Sequence, residues 1–490
     1  MKTTRSRPSQ REKVALCIFN GPNMLLSDGY VRFWGGGIVL RDVCKTQFCL
    51  VVLGLCVGVF GVSGINEVVA QQVKITVASP TEVKIRIESI SLGSEWSFRN
   101  AYAGALGLGE RVEQFHAFAP DGRDLNAKKI APGEFRSESV ATQIEYLVKL
   151  LPPQASDVAH VSWIAGESGL LMLADLLPEH LPGLEVEFSL PSGWTAHSAY
   201  EADASGKFQV RQTDETVFLI GKTLRKQAQR VDFGAFNLVV NARWPFKDEV
   251  VLKAATKVLE RYRVLTGSSL PAKPVVLLAP LPVATGSVKW RAETRGSTVV
   301  LLMDPRAKIN NWGGQLGIIF THELLHLWVP NALLLEGDYD WFFEGFTLYI
   351  ALVTALDLKF INLNEYLATL GRVYDSYLSR QDAHSLIEAS ERRWTGGSSA
   401  VYDKGMLVAF LYDLAIRRDS GGKKWLGSLY PNLFGAAPQP ADGNEVIIQL
   451  LSSTPGGADL AKSYIEGQRE LDLKPLLADR KQLLKSLYYK

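Results

Sequence analysis

Residues 317–328 read GIIFTHELLHLW, and the spacing inside this stretch decides how the rest of the chain is read. His322 and His326 stand four apart, an interval that on an α-helix puts both imidazoles on one face, one turn from each other. There they can share a metal ion. Glu323 points off that axis and is placed to act as the base on a water that the metal activates. Two histidines on an amphipathic helix need a third ligand to make the case. It is expected in residues 341–349, WFFEGFTLY, a second helix that is apolar on nearly every side except at Glu344. A carboxylate in such surroundings is costly unless it is paired or bound to metal. His322, His326 and Glu344 make the three-ligand set of a catalytic zinc site with one position open, so one zinc ion per chain is the expected cofactor. The remaining histidines, His116, His160, His180, His197 and His384, are isolated in sequence and read as surface or core residues.

The composition agrees with a metal site built from imidazole and carboxylate. All four cysteines, Cys17, Cys44, Cys49 and Cys56, precede residue 57, which leaves the body of the chain without a thiol. At 490 residues, 47% hydrophobic and 21% charged, the chain has room for two or three domains, and disorder, collagen and small disulfide scaffolds are excluded. Residues 1–72 hold eight of the 53 basic and four of the 51 acidic residues, so the body carries 45 against 47. A body that close to neutral argues against nucleic acid as a partner.

Residues 48–62, FCLVVLGLCVGVFGV, follow Arg41 and Lys45 and precede Val68-Val69-Ala70, the order of a secretory signal. The uncharged stretch 46–66 also approaches the length of about 20 residues that spans a membrane, so an uncleaved anchor is the alternative. Met24 is a second candidate start. The protein is therefore expected to be exported, periplasmic or extracellular, or held at a membrane through residues 46–66 with its catalytic part outside the cytoplasm.

The layout expected is α+β. After a leader at 1–72, residues 73–242 alternate strands such as VKITVA, KIRIESI, LEVEFSL, VFLIGK and FNLVVNA with turn residues, and form a mainly β domain. A helical face from Glu249 to Leu265, strands at 275–279 and 297–304, and helices from Gln315 onward make up a catalytic domain at 243–435. A C-terminal helical segment fills 436–490, and the helices from Gln315 onward have stops at Ser420-Gly421-Gly422 and Thr454-Pro455-Gly456-Gly457.

The order H-E-L-L-H, seventeen intervening residues and Glu344 in W-F-F-E-G-F-T resembles the gluzincin zinc metallopeptidases. Within them it is most similar to the glycyl aminopeptidase family, peptidase family sixty-one, itself related to the family-one aminopeptidases. Residues 96–135, Val401-Tyr402-Asp403-Lys404-Gly405 and residues 464–477 resemble that family's β domain, its Y-x-K-G helix and its C-terminal helices. The resemblance implies a thermolysin-like catalytic domain acting on peptide or protein substrates, most simply as an aminopeptidase. It implies that Tyr402 donates a hydrogen bond to the oxyanion and that Glu293, in W-R-A-E-T-R-G-S, binds the free amino terminus of the substrate.

Two departures are visible. Trp290 and Arg291 stand where glycines are expected, and Arg291 or Arg295 is positioned to neutralise Glu293, which keeps an endopeptidase of the same fold open as an alternative. The PDZ domain that many family members append is not expected, since the residues after Phe434 read as helices. A peptide-binding protein that retains the metal without turnover is the rival from another class. A serine hydrolase is not, because Gly166-Glu167-Ser168-Gly169 lacks the G-x-S-x-G spacing.

Overall fold

The computed structural model describes residues 71–473 apart from 155–156, 182, 233, 284–289, 307–313, 381–383, 396, 398 and 436–439. The leader, with its apolar run at 48–62 and its cysteines, lies outside the described residues. Among the described ones, no helix is long and apolar enough to cross a membrane.

Three sheets and a helical layer stack in sequence order. The outermost sheet has six strands, among them Gln71–Ser79, Glu82–Glu88, Val112–Phe118 and Gln143–Lys149. Its strands alternate in the expected way: Val83, Ile85 and Ile87 face inward, while Lys84 and Arg86 face solvent and pair with Glu145. Beneath it lies a four-stranded sheet containing Trp163–Ala165, Ser168–Met172 and Val217–Gly221. This sheet is buried on both faces, so its strands are apolar at nearly every position. Leu171, Phe218 and Ile220 pack on the outer sheet, and Leu170, Met172, Val217 and Leu219 pack on the next one.

That third sheet holds five strands, β1 (Arg225–Val231), β2 (Gly234–Val240), β3 (Val275–Pro280), β4 (Trp290–Arg295) and β5 (Thr298–Met303), in the order β1-β2-β3-β5-β4. The three central strands run parallel, and β1 and β4 are antiparallel edges. The β1–β2 hairpin thus belongs to this sheet, and its strand layer starts at Arg225, ahead of the boundary at 243. Between β2 and β3 the chain crosses over through α1 (Asp248–Thr266), whose face of Val251, Ala254, Val258, Leu259 and Tyr262 is buried as its spacing predicts. Gly267, at φ 67°, ends α1 in the left-handed conformation.

Helices cover the other face of this sheet: α2 (Gln315–His326), α3 (Thr347–Asp357), α4 (Leu363–Ser379), α5 (Gly405–Asp419) and α6 (Gly443–Ser452). Val299, Leu301 and Met303 of β5 meet Phe320, Leu324 and Ile350 in this core. The closing segment departs from expectation. Residues 466–473 are not helical, because Leu471 and Leu473 are buried and their amides donate to the hydroxyls of Tyr377 and Tyr374 at 3.0 and 3.1 Å.

Candidate metal centre and active-site cleft

Helix α2 is apolar apart from Gln315, Thr321, His322, Glu323 and His326, and it is held in place at Thr321. The Thr321 hydroxyl reaches Ala351 O of α3 at 3.2 Å, and its carbonyl accepts from Tyr262 at 2.8 Å. With α2 fixed, the interval of four brings His322 Nε2 and His326 Nε2 to 3.0 Å from each other. Glu344 Oε2, delivered by the segment ahead of α3, lies 3.2 Å from the first and 3.5 Å from the second.

The outward nitrogens of both rings are engaged. His326 Nδ1 donates to Val329 O at 2.8 Å, and His322 Nδ1 faces Thr347 Oγ1 at 3.3 Å. The Thr347 hydroxyl gives its own proton to Phe343 O and is therefore an acceptor for His322. Both Nε2 lone pairs consequently face the same point, an arrangement that repels unless a cation sits there.

This donor set fits zinc. Three donors at about 2.0–2.1 Å from a tetrahedral zinc lie roughly 3.3–3.4 Å apart, and the separations found here bracket that value. Among the described residues this is the one group of three His, Cys, Asp or Glu side chains close enough to hold a metal. Burial works against charge on His326, yet the Glu344 carboxylate beside it pushes the imidazole up to about 9, so without a metal Nε2 holds a proton at the point where zinc would take its place. Burial would likewise raise the Glu344 carboxyl, but His326, His322 and Arg393 hold it well below the ordinary range.

Glu323 is positioned from the sheet. Edge strand β4 alternates its side chains, so Ala292 and Thr294 face the helices while Glu293 and Arg295 face the N-terminal region. Thr294 Oγ1 lies 2.8 Å from both the Glu323 carbonyl and its Oε2. Burial pushes the Glu323 carboxyl above the ordinary range, and the nearby histidines and Thr294 only partly offset it. A carboxylate with a raised proton affinity is a stronger base near neutral pH.

Glu344 and Tyr402 both sit on π-helical turns, Trp341–Phe346 and Ala400–Lys404, which run directly into α3 and α5. The two turns touch through glycine. A Cβ added to Gly345 would lie 2.6 Å from Gly405 Cα and from Val401 O. Arg393 links them from the side, its Nη2 donating to Glu344 Oε1 at 2.7 Å and to the Tyr402 oxygen at 2.9 Å while Nη1 pairs with Asp340. Burial, with the Glu344 carboxylate beside it, holds the Tyr402 phenol well above its ordinary pKa, so it is a neutral O–H donor at the cleft wall.

Glu293 lines the same cleft of about 280 Å³, together with the ligands, Glu323, Tyr402, Arg393, Tyr102 and His160. Its carboxylate is already occupied. Oε1 accepts from Tyr102 O–H and from Arg295 Nε, both at 2.9 Å, and Oε2 pairs with His160 Nδ1. Of the two arginines that the sequence offers as neutralising partners, it is Arg295 that does so. The reading of His160 as an isolated surface or core residue is corrected: the loop before strand Trp163–Ala165 carries it into the cleft, paired to a residue 133 positions away.

No protein-family model and no curated protein matches the chain. Solved structures do resemble it. The aminopeptidase N family protein of Idiomarina loihiensis superposes with a TM-score of 0.69 at 18% identity, over 83% of this chain and 78% of its own. An M1 zinc metallopeptidase from Deinococcus radiodurans gives 0.53 at 15% identity, over 82% of this chain and 95% of its own. A mutant of M1 zinc metallopeptidase from that organism, solved with a Tyr-Ser-Ala substrate, gives 0.55 at 13% identity over the same shares. This chain has the M1 zinc metallopeptidase fold.

Within the M1 fold, a β-rich N-terminal region and a helical C-terminal part enclose the cleft. The solved structures that superpose share the fold, and the resemblance to the glycyl aminopeptidases rests on sequence motifs alone. Sequence reasoning had no signal for Arg393, Thr294, Tyr102 or His160. The one hint at this corner was that Arg291 or Arg295 is placed to neutralise Glu293, and the structure gives that role to Arg295.

Proposed function

We propose that the chain is a zinc-dependent peptidase of the gluzincin type, thermolysin-like in plan, with one zinc per chain. The observation that carries this reading is the convergence of His322, His326 and Glu344 within 3.0–3.5 Å in a cleft that also holds Glu323 and Tyr402. Held by the two imidazoles and Glu344, zinc would supply a Lewis acid that acidifies water and polarises a peptide carbonyl. Glu323 accepts the proton of the attacking water and later gives it to the leaving amine, with Thr294 fixing which oxygen faces the substrate. Tyr402 donates its O–H to the oxyanion, because its own oxygen is already occupied by Arg393. Arg393 also takes Glu344 Oε1, which leaves Oε2 alone to face the histidines.

Kinship with the glycyl aminopeptidase family and cleavage at a free amino terminus are the finer readings, and the second depends on Glu293. The engagement of both Glu293 oxygens favours the alternative, cleavage without selection for a free amine. Export or membrane anchoring belongs to the same proposal and rests on the charge and apolar order of residues 41–70.

Removal of the metal tests the reading. Dialysis against a chelator is expected to abolish cleavage of a fluorogenic peptide library, and one equivalent of zinc is expected to restore it. Cleavage that survives full chelation rejects a zinc peptidase, and a zinc-loaded protein that binds peptides without turnover supports the binding-protein alternative instead.

A further inference from the structure

The corner of the cleft around Glu293 is built from donors. Tyr102 O–H, Arg295 Nε and His160 Nδ1 together fill three of the carboxylate's roughly four acceptor positions. Arg295 cannot swing away cheaply. It is 5% exposed, its Nη2 donates to His160 O at 2.7 Å, and its guanidinium lies 4.0 Å from the centre of the Tyr102 ring. An arriving ammonium would find a single acceptor position and a fixed cation beside it.

The charge balance points the same way. Arg295 cancels Glu293, and His160, although burial works against its charge, has its proton affinity raised by the Glu293 carboxylate it contacts. As an imidazolium it adds a positive charge and a second N–H. One donor is then left over at the cleft wall. Among the described residues His160 Nε2 makes no hydrogen bond, on a ring 29% exposed at the cleft wall, whereas the partnerless Arg295 Nη1 is buried and does not line the cleft. Surplus N–H groups in a partly dry cleft are satisfied by an acceptor and left unsatisfied by another donor.

Resting on the zinc-peptidase reading, we propose that this corner receives an acyl carbonyl on the amino side of the residue that is cut, supplied by a preceding residue or by a blocking acyl group, in place of a free ammonium. His160 donates to that carbonyl from Nε2. Arg295 is a positioning residue that closes Glu293 to ammonium and steadies the His160 backbone.

The test uses the zinc-loaded full chain and three peptides that share one scissile bond: Leu-Gly-Gly-Phe, its N-acetyl form, and Gly-Leu-Gly-Gly-Phe cut after Leu. The acetylated and the extended peptides are each expected to show kcat/KM at least about tenfold above the free form, a ratio expected when a charged donor loses its buried partner. If only the acetylated peptide gains, the carbonyl comes from blocking groups, and if only the extended one gains, it comes from internal peptides. Equal or faster cleavage of the free form overturns the inference while leaving the peptidase reading intact. A set in which nothing is cut removes the peptidase reading itself. His160→Phe is expected to bring the acetylated-to-free ratio towards one, and a ratio that keeps its wild-type value overturns the role given to His160. The wild-type protein gives a further measurement that needs no variant: N-acetylleucine is expected to inhibit at lower concentration than leucine, and the reverse order contradicts the proposal.

Discussion

Arg393 reaches Glu344, Tyr402 and Asp340 with one guanidinium, and its neighbours in sequence, Arg392 and Trp394, give no sign of it. The three metal-facing residues were legible because an interval of four on a helix fixes the side on which a side chain emerges, and because a lone carboxylate in an apolar run demands a partner. Arg393 obeys no such rule: it arrives from a short 3-10 turn, Arg393–Thr395, whose place depends on tertiary packing. Its position beside both Glu344 and Tyr402 predicts two separable losses in Arg393→Ala. Zinc affinity should fall about 10–100-fold, as for other groups that orient a ligand, and kcat should fall more than KM rises, because Tyr402 loses its anchor. Zinc titration with a competing chelator, alongside steady-state kinetics, reads both. Arg393→Lys should recover part of the zinc affinity and less of kcat, since one ammonium cannot serve both partners in the same geometry.

Among the elements, the two π-helical turns have the most consequence for the site. The segments WFFEGF and AVYDK read as ordinary helix starts, whereas in the structure both are π-helical turns that meet where Gly345 packs against Gly405. That contact has no room for a methyl group. Gly405→Ala, whose Cβ would stand 2.9 Å from Trp341 O and 3.0 Å from Gly345 Cα, is expected to cost about 1–3 kcal/mol by overpacking. It should also spread Glu344 from Tyr402, so thermal unfolding of the metal-free protein and zinc stoichiometry should both report the change.

The strands show the same division between what a pattern carries and what packing decides. Apolar runs such as VVLLA and TVVLLM were found because they are buried on both faces. The edge strand RKQAQRV escaped because it has almost no apolar residue, its ladder to β2 being backbone alone.

Across the whole molecule, the stacked sheets bring a histidine and a tyrosine of the β-rich region onto an edge strand of the catalytic sheet. Glu293 is the charged centre of that junction, meeting Tyr102 and His160 from one region and Arg295 from the other. Burial alone would raise the Glu293 carboxyl, but Arg295 and His160 hold it at about 2, against an ordinary value of 4.5. A carboxyl whose folded pKa lies below its unfolded one stabilises the fold fully above about pH 4.5 and loses that contribution as pH falls towards 2. Metal-free wild-type protein should therefore lose stability over that window, and Glu293→Gln, already less stable at neutral pH, should lose less there. Denaturant unfolding at several pH values gives the comparison, and equal slopes for the two proteins would contradict it.

The two regions were legible in the sequence as a β half and a helical half. Their junction was not, since it joins residues between 133 and 191 positions apart and leaves no local pattern. The proposed water-activating zinc peptidase depends on Glu323 as the base, and Glu323→Gln keeps the size of the side chain while removing its proton affinity. The decisive measurement pairs zinc analysis with peptide hydrolysis on that one variant. A full equivalent of bound zinc is expected, with hydrolysis reduced about 10²–10⁴-fold, whereas a zinc-loaded variant that cleaves at the wild-type rate would show that Glu323 is not the base.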